Sequence, residues 1–269
     1  MESTIYFFTG TGNSLKVAKD LAENLRNCEL IPIAKIWQKK ALSSTAQKVG
    51  FIFPLYYSGL PKIVYDFMEK IDLTSAEYFF TIVTSAGGVN ELPLQQVNTL
   101  LKAKSTPKSL HAGFLVTMPN NYIIGFDIHS EQRQKEFFKK ERVLVKKISK
   151  IVKNKEGNLN REIFEKKLSR DERFNAKFRE DVNESDRNFY VEDKCNSCRI
   201  CENVCPVNNI IIIDGVPEWQ HKCQMCTGCL HYCPEKAIQW GEYTLGRERY
   251  NHPYIKLKEL INQKQVLSK

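Results

Sequence analysis

Long apolar runs are missing from this 269-residue chain. The longest, such as residues 210–213, fall far short of the roughly 20 residues a bilayer-spanning helix needs. The opening Met1-Glu2-Ser3-Thr4-Ile5 has neither the basic region nor the small-residue cleavage site of a signal peptide, so a cytoplasmic location is expected. Histidine is sparse. The five, at positions 111, 129, 221, 231 and 252, are scattered and form no evident acid–base pair. His231 falls among cysteines, where a supporting hydrogen bond suits it better than catalysis. Cysteine is nearly absent outside one stretch: eight of nine lie between Cys195 and Cys233, and only Cys28 stands apart. In a chain with no export signal such a cluster points to metal ligation rather than disulfides. Cys28 reads as a buried small apolar residue.

The net charge of +9 is unevenly spread: +2 over residues 1–128, +6 over 129–187, −3 over 188–243 and +4 over 244–269. The positive excess lies mostly in a helical stretch where Lys and Glu alternate, the mark of a solvated face. No nucleic-acid-binding motif accompanies it, so no nucleic-acid partner is expected.

The first 120 residues alternate short apolar runs with amphipathic stretches. Residues 4–8, 30–33, 49–53, 78–84 and 113–118 read as strands; 14–25, 61–71 and 92–101 read as helices. Five strands alternating with helices imply an α/β fold, a doubly wound parallel sheet with helices on both faces. Ligands bind such sheets at the carboxyl ends of the strands. Residues 130–180 are charged and mostly helical, broken near 156–158, with Phe138, Val145, Ile148 and Val152 as one buried stripe. The expected units are a sheet domain over 1–154, a helical linker over 155–187, a cysteine-bearing domain over 188–243 and a basic tail over 244–269.

The cysteines form two runs: Cys195-x2-Cys198-x2-Cys201-x3-Cys205-Pro206 and Cys223-x2-Cys226-x2-Cys229-x3-Cys233-Pro234. Structural zinc modules use ligand pairs separated by longer spacers, which fits two such runs poorly. The spacing is that of the two-cluster bacterial ferredoxins, which residues 188–243 resemble. Three cysteines two residues apart wrap three corners of a cubane, and the fourth crosses to the other cluster. The resemblance therefore implies two [4Fe–4S] clusters in a small α+β domain, one on Cys195, Cys198, Cys201 and Cys233, the other on Cys223, Cys226, Cys229 and Cys205. Ile210-Ile211 and Ala237-Ile238 fall at matching offsets after the two prolines, as in an internal repeat.

After the first strand comes Thr9-Gly10-Thr11-Gly12-Asn13-Ser14, then a helix, whose N-terminus suits a phosphate. The P-loop lysine is absent, and Leu15 stands where a dinucleotide fingerprint needs its third glycine. A loop of hydroxyls and backbone amides without Lys or Arg resembles the FMN phosphate loop of flavodoxins. That resemblance implies two further FMN-contacting loops. One is Pro54-Leu55-Tyr56-Tyr57-Ser58-Gly59, where Tyr56 or Tyr57 flanks the isoalloxazine. The other is Ser85-Ala86-Gly87-Gly88, whose backbone faces the flavin pyrimidine edge. Residues 118–122 follow the last strand and read either as a cover for the flavin or as a plain turn.

The whole chain resembles flavodoxin–ferredoxin fusion proteins of anaerobic bacteria. The resemblance implies electron transfer between the two clusters and FMN, adapting one-electron to two-electron redox partner proteins such as ferredoxin- or flavodoxin-dependent oxidoreductases. A reductase of a small acceptor such as a quinone, fed through the clusters, is the alternative, and a redox sensor a third. The acidic cysteine domain either docks on the basic linker and the Arg247/Arg249/Lys256/Lys258 tail, or these charges only keep the protein in solution.

Overall fold

A computed structural model describes residues 2–88 and 90–264. Strands β1 (Ser3–Phe7), β2 (Cys28–Pro32), β3 (Lys48–Pro54), β4 (Tyr78–Ser85) and β5 (Ala112–Thr117) form one wholly parallel sheet in the order β2-β1-β3-β4-β5. Neighbouring side chains point to opposite faces. Ile5 and Phe7 therefore enter one core layer, and Tyr6 and Phe8 the other. Both layers are covered, which is why β3 and β4 are apolar without alternation. Helix α1 (Asn13–Leu25) and α5 (Glu131–Lys153) cover one face, with Val17, Leu21, Phe138, Val145, Ile148 and Val152 buried. The short α2 (Ile33–Ile36), α3 (Lys62–Lys70) and α4 (Leu92–Lys102) lie on the other.

Glu141 of α5 is buried against α1, and neither carboxylate oxygen has a conventional donor. Burial first, then the charge of Asp20, pushes its carboxyl up to about 7, against the pull of Lys16 and Arg142. The folded state thus holds a proton that the unfolded chain has lost. Stability from this site is full below about 4.5, the ordinary value, and is lost as pH rises through about 7. In urea unfolding at pH 5 and pH 8, Glu141→Gln is expected to flatten the pH dependence by about 2–3 kcal/mol.

The segment after α5 is helical and folded onto the sheet domain. It holds α6 (Glu162–Glu165), α7 (Ser169–Asp181) and a 3₁₀ turn over Val182–Asn188. Phe178 and Val182 join the main core, and Asn175 is fully buried. The C-terminal unit pairs β6 (Phe189–Val191) with β9 (Ile238–Trp240), and β7 (Ile210–Ile213) with β8 (Val216–Trp219), both antiparallel. Helices α8 (Ile200–Val204) and α9 (Gly228–Tyr232) lie between the strands. The basic tail is also folded: Tyr250, His252 and Ile255 are buried, and α10 (Leu257–Ile261) buries Leu260 beside Val204 and the α1 core. Cys28 is partly buried on edge strand β2, and burial raises its thiol to about 12. No described helix is long and apolar enough to cross a membrane.

Candidate functional site

The carboxyl ends of β1, β3 and β4 open on one cavity of about 440 Å³. Thr9, Gly10, Asn13 and Ser14 line it from the first loop, residues 54–57 from the second, and Ser85, Ala86 and Gly87 from the third. Thr9 Oγ1 accepts the Gly12 N–H at 3.0 Å, and Gly12 starts α1 at φ +111°. The loop therefore turns its backbone amides to the helix N-terminus. Ser14 Oγ bonds Thr84 Oγ1 at 2.8 Å. Asn13 has its side chain committed elsewhere: Nδ2 donates to the Pro119 carbonyl at 2.9 Å, and Oδ1 accepts from Tyr250 Oη at 2.8 Å.

Thr11, Gly12, Ser58, Gly59 and Gly88 are not among the cavity-lining residues. Thr11 Oγ1 accepts from Asn121 Nδ2, and a Cβ on Gly12 would press His252 at 3.0 Å. Gly59 is backed by Asn175 and Gln96. Both tyrosines line the cavity. Tyr57 lies flat on Phe178, ring centroids 4.2 Å apart, and its hydroxyl meets that of Tyr122 at 2.8 Å. Burial raises the Tyr56 phenol, and the nearby Cys226 and Cys223 add to the rise. The segment after β5 is a wall rather than a plain turn, lining the cavity with residues 119–122 and Phe126.

Sequence reasoning missed Thr84, Phe126, Phe174, Met225 and Thr227 as lining residues, and Asn175 as the support of the second loop. Asn175 Nδ2 donates to the carbonyls of Tyr56 at 2.9 Å and Leu60 at 3.1 Å, so α7 anchors the second loop. Phe174 and Phe178, four residues apart in a charged helix, were the available signal.

The eight clustered cysteines surround two voids. Cys195, Cys198, Cys201 and Cys233 line one, with Ile212, Pro217 and Ile238. Cys205, Cys223, Cys226 and Cys229 line the other, with Phe189, Ile210 and Trp219. None is in a disulfide. Among the described residues no group of three or more His, Cys, Asp or Glu is gathered as for a single metal ion. The two runs, 28 residues apart, repeat one backbone. Left-handed φ angles recur at Ser197 and Met225 (58° and 53°), Arg199 and Thr227 (62° and 58°), and Asn208 and Lys236 (51° and 49°). The Asn209 N–H donates to Cys205 Sγ at 3.2 Å, as the Ala237 N–H does to Cys233 Sγ at 3.3 Å. Burial pushes the Cys201 and Cys223 thiols up to about 12, so a thiolate at either needs a cationic centre to compensate it. Cys198 is exposed, whereas Cys223 and Cys229 are buried.

The second void touches the first cavity, because Cys226 lines both. His231, from the helix that follows, is buried. Its Nδ1 accepts the Tyr250 N–H at 2.9 Å, so its proton sits on Nε2, which donates to the Asn121 carbonyl at 2.7 Å. Burial holds its pKa down at about 4, and the ring is neutral.

Residues 4–113 match the flavodoxin domain family, and residues 189–211 match the 4Fe–4S binding domain family. The chain joins a flavodoxin domain to a 4Fe–4S domain. It is a flavin and iron–sulfur redox protein. No curated protein matches it. Among solved structures, a candidate flavoprotein of Bacteroides uniformis is similar at 16% identity over 51% of this chain and 97% of that one, with a TM-score of 0.34. An azoreductase of Bacillus anthracis is similar at 10% identity over 55% of this chain and 99% of that one, with a TM-score of 0.36. The observed sheet order and the separate C-terminal unit are those expected of a flavodoxin-like fold with a small ferredoxin-like domain.

Proposed function

We propose that this chain passes electrons between FMN and two [4Fe–4S] clusters, adapting one-electron to two-electron redox partner proteins. FMN, when bound, exchanges one or two electrons and each cluster one. The observation that carries the reading is Cys226, which lines both the flavodoxin cavity and one cysteine-lined void. In this reading Cys205, Cys223, Cys226 and Cys229 hold the cluster beside the flavin. Cys195, Cys198, Cys201 and Cys233 hold the outer one, reached by a partner at the exposed Cys198 loop. The 28-residue repeat of backbone angles and N–H···S bonds supports the second cluster. FMN phosphate rests on the amides of the 9–14 loop, with Tyr56 and Tyr57 beside the ring and residues 85–87 near its polar edge.

Between the flavodoxin side and the tail, Lys19 of α1 pairs with Glu259 of α10 at 2.6 Å. Arg249 is buried on the Ile238 carbonyl (3.0 Å) and Gln239 Oε1 (2.9 Å), inside the 4Fe–4S domain. Arg247 reaches only the exposed Asp127, at 3.3 Å. The proposed path does not rely on electrostatic docking on the tail. In anaerobic stopped-flow with a one-electron donor, cluster reduction is expected to precede flavin bleaching. The second phase should be independent of protein concentration and of salt from 0.05 to 0.5 M, a range that cuts the screening length about threefold. A second phase whose rate rises with protein concentration means the electrons pass between molecules, against the reading.

One observation favours the small-acceptor alternative. Tyr122, Phe126 and Phe174, all outside the matched flavodoxin segment, stand at the cavity, and Phe126 and Phe174 are exposed. A planar acceptor such as a quinone fits such an aromatic rim. Rapid quinone-dependent reoxidation that Phe174→Ala abolishes is the result this alternative requires.

A further inference from the structure

The segment after residue 244 lies outside both matched regions, yet it crosses from the cysteine domain to the phosphate loop. Tyr250, 1% exposed, is the crossing point. Its backbone N–H is held by His231 Nδ1 at 2.9 Å, and its hydroxyl holds Asn13 Oδ1 at 2.8 Å. His252 and Ile255, just beyond, press on Gly12. Helix α9 adds its own bonds to the flavodoxin side. Tyr232 Oη donates to the Thr11 carbonyl at 3.1 Å, and His231 Nε2 donates to the Asn121 carbonyl at 2.7 Å.

Helix α9 is bracketed by Cys229 and Cys233, which line different voids. Whatever fills the two voids fixes both ends of this helix. The helix in turn fixes two linings of the flavin cavity, Asn121 directly and Asn13 through Tyr250, and holds the Thr11 carbonyl in the loop beside them. We propose that Tyr250 is a positioning residue of the flavin site and that, through it and α9, cluster loading and FMN binding are one cooperative equilibrium. The inference rests on the cofactor assignment proposed above. Because coupling between binding sites is reciprocal, clusters tighten FMN and FMN retains clusters to the same degree.

The test uses the full chain loaded with clusters under anaerobic conditions and freed of flavin. FMN is titrated by its fluorescence quenching, before and after a chelator removes the iron. FMN Kd is expected to rise by about tenfold or more on removal, within the usual range of coupling. In Tyr250→Phe with full iron content, Kd should be about fivefold weaker, the value of one buried hydrogen bond. The ratio between stripped and loaded forms should fall toward one. Reciprocally, FMN should slow iron loss to the chelator in the native protein and do so less in Tyr250→Phe. Equal Kd in the loaded and stripped native protein overturns the coupling while leaving both cofactor assignments intact. Failure of the loaded protein to bind FMN at all overturns the cofactor assignment, and the coupling with it. Because the native loaded and stripped forms are compared directly, the result stands even if the variant folds poorly.

Discussion

Gly10→Ala is expected to expel the flavin and to cost on the order of 3 kcal/mol of stability. A Cβ on Gly10 would lie 2.2 Å from the Cys226 carbonyl oxygen and 2.9 Å from Cys226 Cβ. The obstacle is backbone on one side and a cavity-lining cysteine on the other, so no rotamer change relieves it. On the far side of the same seam, a Cβ on Gly228 would meet the Gly10 carbonyl at 3.1 Å. The glycines let the 9–14 loop and the cysteine loop touch without side chains between them. Alanine must push the two loops apart or move the phosphate loop out of register with α1. Gly157→Ala is the control, since its Cβ would sit at an ordinary 3.4 Å from the His111 carbonyl. That change should stay within about 0.5 kcal/mol of the native protein. Denaturant unfolding and flavin content check both. A Gly10→Ala protein with native stability and full flavin would mean that the two loops do not meet as described.

Cys226→Ala should have the largest effect on electron transfer. Removing one of four thiolates from an enclosed void leaves three ligands and an open iron corner. Iron content is expected to fall from about eight to about four per chain. The cluster lost is the one beside the flavin, so a one-electron donor should still reduce the outer cluster while flavin bleaching through the protein stops. FMN itself should still bind, more weakly by the coupling argued above. Cys28→Ala should leave iron unchanged, because Cys28 lies on β2 at the sheet edge, apart from both voids. Iron analysis with visible spectra distinguishes the cases. Full iron in Cys226→Ala would exclude this cysteine as a ligand.

The sheet was legible because its signals are local. Each strand is a short apolar run bounded by turn residues, and each run appears within a residue or two of its expected place. The cysteine runs were legible for the same reason, since three of the cysteines lining each void lie within seven residues. What escaped notice joins residues far apart in the chain. Asn13 reads as a phosphate ligand in its loop, but its amide is spent on Pro119 and Tyr250, 106 and 237 residues away. No periodicity announces such a bond. The linker and tail were read by charge, and their aromatic residues were the overlooked signal. Phe174 and Phe178 pack on Tyr57, and the buried Tyr250 and His252 fall in the tail that was read by its charge. Aromatic side chains supply large buried area, so several of them in a basic tail mark it as part of the fold.

The central claim is that one flavin and two clusters form a single electron path, and an anaerobic reductive titration of the fully loaded protein tests it most directly. With visible and electron paramagnetic resonance spectra recorded at each addition, the account predicts uptake of about four electrons per chain, two on the flavin and one on each cluster. Uptake of only about two electrons in protein with full iron and flavin content would contradict it.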